Sequence, residues 1–124
     1  MPDKKQRVVV VGASPKPGGY SYRAVCLLRQ QGHEVIPVHP ATRTIQGLPV
    51  VASVAEIDGP VDTLTLYVSA KISATLTAAI KKLHPGRVIF NPGAENRLLR
   101  DDLETQGIHT EEACTLVLLN TKQF

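Results

Sequence analysis

The chain has no tryptophan, two cysteines, five aromatic residues and no apolar run near the ~20 residues that a membrane-spanning helix needs. Each shortage excludes something. Cys26 and Cys114 have neither CxxC nor CxxH spacing, so no disulfide framework and no metal site is expected. The leading MPDKKQR is charged and polar, reads as a loose lead-in over 1–6, and has no long apolar segment behind it for a secretory signal. Together these absences predict a reduced, cytoplasmic protein with no membrane contact. The aromatics Tyr20, Tyr22, Tyr67, Phe90 and Phe124 do not alternate with lysine and arginine. A stacking platform for nucleic acid needs that alternation, so no nucleic-acid partner is expected. Net charge is only +3, with the cations scattered, which leaves room for an anionic small molecule. Repeats, low-complexity runs and linkers are also missing.

What is present is a chain of 124 residues, 43% hydrophobic and 20% charged. That is one globular domain, 1–124, with a real core. It is organised around VVVVGASPKPGGYSYR at 8–23. Four valines in a row predict a strand covered on both faces. Gly12 lets the backbone turn at once. Ser21 is expected to cap a helix over 21–31, which Gly32 ends. A second strand follows at 34–38. Pro37 is awkward within it and belongs where its missing N–H is not needed. A loop over 41–47 leads through LPVVAS to a short helical turn at 54–57. A third strand at 63–68 precedes Ser69, the expected cap of a helix over 70–83. The apolar stripe of that helix is Ile72, Leu76, Ala79, Ile80 and Leu83. A fourth strand at 87–90, a helix at 94–106 carrying Leu98, Leu99 and Leu103, and a fifth strand at 108–110 complete the alternation. The tail 113–124 reads equally as helix or strand.

Alternating strands and helices with short loops predict a single-domain α/β fold. It is a Rossmann-like, doubly wound sheet of five parallel strands with helices on both faces. The expected order is 3-2-1-4-5. That order puts the first and fourth strands side by side, with the ligand crevice between their carboxyl ends. Gly12, Ala13 and Ser14 would then face Asn91, Pro92 and Gly93, with Val68, Ser69, His39 and Pro40 along the same rim. A helix starting at the end of the first strand is an anion site.

NAD fits this rim poorly. Gly12 is followed by Gly18 and Gly19, which is not GxGxxG, and the end of the second strand carries His39-Pro40 rather than an acid. Arg43, three residues on, suits a phosphate on the ribose, as in NADP or coenzyme A. The residues alone therefore specify a phosphorylated adenosine nucleotide with a diphosphate.

The motifs VVVVGAS (8–14), SYR (21–23), GHEVIPVHP (32–40), GLPVVAS (47–53), NPGAEN (91–96) and EACTLVLL (112–119) cover the chain in order. With them the chain resembles the CoA-binding protein family, small stand-alone domains similar to the N-terminal domain of the succinyl-CoA synthetase α subunit. His39 stands where the family commonly has Asn, and Asn91 where related members often have Gln. The resemblance implies coenzyme A or an acyl-CoA as the small-molecule ligand. Gly12, Ala13, Ser14 and Ser21 would lie at its pyrophosphate, and Pro40 and Arg43 at the adenosine and 3′-phosphate. Val68, Ser69 and the Asn91-Pro92-Gly93 turn would line the pantetheine path. Lys16 and Arg23 are further candidates for phosphate contact.

No complete catalytic constellation is present, and the synthetases' phosphate-carrying histidine lies in a domain absent here. The first expectation is a non-catalytic binding, sensor or carrier module. The alternatives are an enzyme acting on a CoA thioester through His39, Cys114 or a partner's residue, and an NAD(P)-binding Rossmann domain with a redox or regulatory role. A homodimer or another protein partner is compatible with the apolar tail or an edge strand, without a specific motif for either.

Overall fold

The computed structural model describes residues 4–124, so the first part of the expected lead-in, residues 1–3, lies outside the described residues. The main sheet contains β1 (Arg7–Val11), β2 (Glu34–Val38), β5 (Thr63–Leu66), β6 (Arg87–Phe90) and β7 (His109–Glu112). All neighbouring pairs are parallel. A two-stranded ribbon, β3 (Thr44–Ile45) and β4 (Leu48–Pro49), stands apart. The helices are α1 (Tyr20–Gln30), α2 (Ala70–Ser73), α3 (Thr77–Leu83), α4 (Arg97–Thr105) and α5 (Thr115–Asn120). The five-stranded doubly wound α/β fold is as expected.

The strand order is not. It runs β2-β1-β5-β6-β7, which is 2-1-3-4-5 in chain order of the main strands, so the expected 3-2-1-4-5 is corrected. Pro37 supplies the physical reason. Val38 faces β1, because its carbonyl accepts from Gly12 N and Ala13 N. Pro37 therefore faces outward, where its carbonyl accepts from Val51 N at 3.0 Å and its missing donor is not needed. A strand with that gap belongs on an edge, not between two partners. The third strand, with all four residues buried, takes the central place beside β1 instead.

Period-2 alternation sorts the core. Val8 and Val10 face α1 and α5, packing with Val25, Leu28 and Leu119. Val9 and Val11 face the other layer, with Ile80 of α3 and Leu99 and Leu103 of α4. Each such fully buried side chain contributes about 1.5–3 kcal/mol relative to exposure. The tail is a helix, and α5 lies beside α1 with Leu119 fully buried. Three helix expectations need correction. The helix expected over 70–83 is broken by a 3₁₀ turn at Ala74–Leu76. Its Ile72 is 52% exposed, and Leu98 of α4 is 85% exposed. Helix α4 starts three residues later than expected because Asn96 accepts Leu99 N and caps it there.

At the amino ends of the strands, His33 Nδ1 accepts Gln6 N at 3.0 Å and its ring packs on Phe124, with centroids 5.4 Å apart. Burial first, then the charges of Lys5 and Arg87, hold His33 below the ordinary histidine value of 6.5. The folded state thus takes up a proton less readily than the unfolded chain. Stability is full above the ordinary histidine range and falls as pH drops through the depressed value. His33→Gln should reduce the loss of urea midpoint between pH 8 and pH 5; an unchanged loss would assign that pH dependence to other groups.

Candidate functional site

With β5 next to β1, the chain reverses its winding direction between these two strands, and the crevice at their carboxyl ends is the topological switch point. The expected crevice between the first and fourth strands is corrected accordingly, because β5 stands between β1 and β6. Gly12 and Val68 meet there: a β-carbon on Gly12 would lie 2.8 Å from Val68 Cγ1. Asn91, Pro92 and Gly93 lie one strand further along the rim, after β6.

The turn after β1 is held from the β2 side. Gly12 N and Ala13 N both donate to Val38 O, at 3.1 and 3.2 Å. Ala13 is fully buried, so neither of these amides offers itself to a phosphate. Ser14 is half-buried, and its Oγ accepts Lys16 N at 3.1 Å. The anion-binding character sits in the start of α1. Its N-cap is Gly19, in an extended conformation and without a side-chain cap. Ser21, expected as the cap, is the second helical residue and is buried. The first-turn amides of Tyr20, Ser21 and Tyr22 therefore have no capping side chain, and no acidic residue stands in that turn. An uncapped amino end carries a partial positive charge. Exposed Lys16 and Arg23 add to it, Arg23 lying over the Tyr20 ring at 5.9 Å.

At the end of β2, His39 Nδ1 accepts Ala41 N and Thr42 N at 3.0 and 3.1 Å, while His39 N donates to Val51 O. The accepting nitrogen of the ring is thereby committed to shaping the loop. Pro40 and Arg43 are exposed just beyond it. Arg43 is anchored through its carbonyl, which accepts Val50 N at 2.9 Å across the β3–β4 ribbon. That ribbon replaces part of the expected loop 41–47. Its two-residue turn is Gln46-Gly47, at φ 53° and 79°, the left-handed pair that closes a tight hairpin. Arg29 donates to Gln46 O, and Gln46 Nε2 donates to Tyr22 O, tying the ribbon to α1.

On the β5 side, Val68 is half-buried and Ser69 is exposed, standing at the start of α2 without a side-chain capping bond. Asn91 is different from the expectation. It is buried, donates from Nδ2 to Thr65 Oγ1 and Leu66 O, and accepts Thr115 N at Oδ1. Every polar atom of its side chain is engaged, so it holds α5 to the sheet instead of lining a ligand path. Pro92 and Gly93 are exposed.

The structure thus brings Gly12, Ser14, Val68 and Ser69 to one crevice, with Lys16 and Arg23 at the α1 start and His39, Pro40 and Arg43 on the β2 flank. Ala13, Ser21 and Asn91 are internal. Tyr67, which the sequence shows only as one of the scattered aromatics, lies directly before Val68. Its hydroxyl is buried without a hydrogen-bond partner, and burial above all pushes the phenol up to about 12, so it is neutral at physiological pH. An aromatic residue directly before a rim residue was the available signal. Cys26 and Cys114 are free thiols, both half-buried. Among the described residues no cluster of His, Cys, Asp and Glu could hold a metal, and no helix is long and apolar enough to cross a membrane.

Comparison with known proteins adds four findings. The family model for the CoA binding domain matches residues 6–120. An uncharacterised protein of Bacillus subtilis, YneT, is 34% identical over 64 residues, which are 52% of this chain and 47% of that protein, so the matched part is about half of each. A crystal structure of an uncharacterised protein is 36% identical, with a TM-score of 0.92, covering 98% of this chain and 99% of that one. The fold also recurs in a dinucleotide-forming acetyl-coenzyme A synthetase of Ca. Korarchaeum cryptofilum, at 19% identity and a TM-score of 0.74. There it covers 87% of this chain and 25% of the synthetase.

Proposed function

The chain belongs to the CoA binding domain family, and on that premise we propose that it is a cytoplasmic binding module for coenzyme A, free or acylated, without catalysis of its own. The observation that carries the ligand chemistry is the uncapped start of α1 at the switch point, flanked by Lys16 and Arg23 and free of acidic residues. A diphosphate placed there meets unsatisfied first-turn amides and the positive end of the helix. The adenosine then extends towards β2, where Arg43 follows His39-Pro40, and the pantetheine arm runs the other way past Val68 and Ser69. The order β2-β1-β5 supports that direction along the rim.

Absence of catalysis rests on what the rim side chains are doing. The accepting nitrogen of His39 holds two backbone amides and is committed to the loop, so it is not aimed at a substrate. Incubating the pure protein with acetyl-CoA tests this part: intact thioester beside saturable binding is expected, and turnover would make it an enzyme.

Arg43→Ala separates the two phosphate positions. It should weaken coenzyme A about tenfold and dephospho-CoA much less, because only the former carries the 3′-phosphate and charge-assisted bonds to it are worth about 1.5–3 kcal/mol. Equal losses measured by calorimetry would remove Arg43 from the 3′-phosphate site.

A further inference from the structure

A second concavity lies at the opposite end of the sheet. A cleft of about 1130 Å³ opens between the segment entering β1, the carboxyl ends of α1 and α5, and the last residues of the chain. Lys4, Lys5, Lys122 and His33 line it, with Gln31 and Phe124 among the remaining residues. No described lining residue carries a carboxylate side chain, and the main-chain oxygen of Phe124 is taken by Gln6 Nε2 and Arg87 Nη2, which donate to it at 3.2 Å each. We propose that this cleft is a second binding site, for a small phosphorylated molecule with at least two negative charges, independent of the rim.

Lys5 is a placed cation. Its ammonium donates to Gln31 O at 2.7 Å, and its stem lies against Gly32, where an added β-carbon would meet Lys5 Cε at 3.0 Å. Two helix carboxyl ends point into this region and would oppose an anion. Their orphan carbonyls are largely answered. Gly32 N donates to Arg29 O and His33 N to Leu28 O at the end of α1. Gln123 N and Phe124 N donate to Leu118 O, and Lys122 N donates to Leu119 O, at the end of α5. The neighbouring acids are engaged elsewhere: Glu34 pairs with Arg7 and Glu111 with Arg87. Burial first, then the charges of Lys5 and Arg87, oppose protonation of His33, so its ring enters the cleft as a neutral group. With Nδ1 occupied by Gln6 N, the neutral His33 ring has Nε2–H to offer as a donor. Ammonium groups as point charges, an imidazole donor and carboxamides suit phosphate oxygens with neighbouring hydroxyls.

The test is a titration with inorganic triphosphate, followed by NMR at the His33 ring and the Gln31 amide. Saturable shifts at both are expected. In Lys5→Glu/Lys122→Glu the affinity should fall about tenfold or more, as for reversal of close charges. Lys4→Glu/Lys122→Glu serves the same end should the loss of Lys5 disturb the fold. Arg43→Ala, altered only at the rim, should bind triphosphate in the cleft as the parent does. Shifts confined to the amides of Ser14 and Ser21, affinity indifferent to both charge reversals, or no saturation would each overturn the proposal. Failure of coenzyme A to bind would leave this result untouched, so the two readings fail separately.

Discussion

Gly12→Ala is expected to destabilise the protein by about 2 kcal/mol and to weaken coenzyme A about tenfold or more. Gly12 has φ +84°, a region that costs a residue with a β-carbon about 1–2 kcal/mol. The added carbon would also lie 2.8 Å from Val68 Cγ1 and 3.3 Å from the Tyr67 carbonyl carbon. The valine can rotate; the Tyr67 backbone cannot move without β5, whose rim forms half the crevice. Read from the sequence, this glycine lets the backbone turn. In the structure it also leaves room for Tyr67 and Val68, which follow β5, and the ligand effect follows because Val68 and Ser69 are displaced. Gly18→Ala is the control: φ is +88° but nothing lies within 4 Å of the added carbon, so only the backbone strain applies. Urea unfolding and calorimetric titration of both variants check this. A Gly12→Ala protein as stable as Gly18→Ala would show that the contact with Tyr67 and Val68 does not matter.

Asn91→Ala should cost about 3–5 kcal/mol, a large part of the 5–15 kcal/mol that holds a typical domain together. Three buried groups lose a partner, the Thr65 hydroxyl, the Leu66 carbonyl and the Thr115 amide, although Leu66 O keeps the residue-91 backbone N–H at 3.3 Å. Each unsatisfied group costs about 1–3 kcal/mol, and the Thr65–Thr115 hydroxyl bond at 2.7 Å recovers part of it. Helix α5 is tied to the sheet through this residue, so hydrogen exchange should quicken first over 115–120. Affinity for coenzyme A per folded molecule should stay within about threefold. Collapse of affinity in a protein that stays folded would mean that Asn91 touches the ligand after all.

These two residues show how far a sequence reading reaches. Runs such as Val8–Val11 and the glycines after them are local signals, and they gave the strands, the turns and the fold class. Strand order is a pairing property, and two orders satisfied the same alternation. Pro37 carries the information that decides between them, since its missing donor requires an edge. The Gln46-Gly47 hairpin was hidden because its strands are two residues each, too short for any period to show. Leu98 and Ile72 fit a helical stripe by spacing, yet face outward, because the helices start or break where Asn96 and the Ala74–Leu76 turn set them. Asn91 was legible as a polar residue at a strand end. That its bonds run inward depends on Thr65 and Thr115, which are 26 and 24 residues away in the chain.

The most direct measurement is calorimetric titration of the protein, stripped of any co-purified ligand, with coenzyme A, dephospho-CoA, NADP and NAD. Saturable binding should be tightest for coenzyme A, weaker for dephospho-CoA, and weaker again or undetectable for both dinucleotides. Preference for NADP, or no binding of coenzyme A to the folded protein, would contradict the assignment of the α1 start and the β1–β5 crevice as a coenzyme A site.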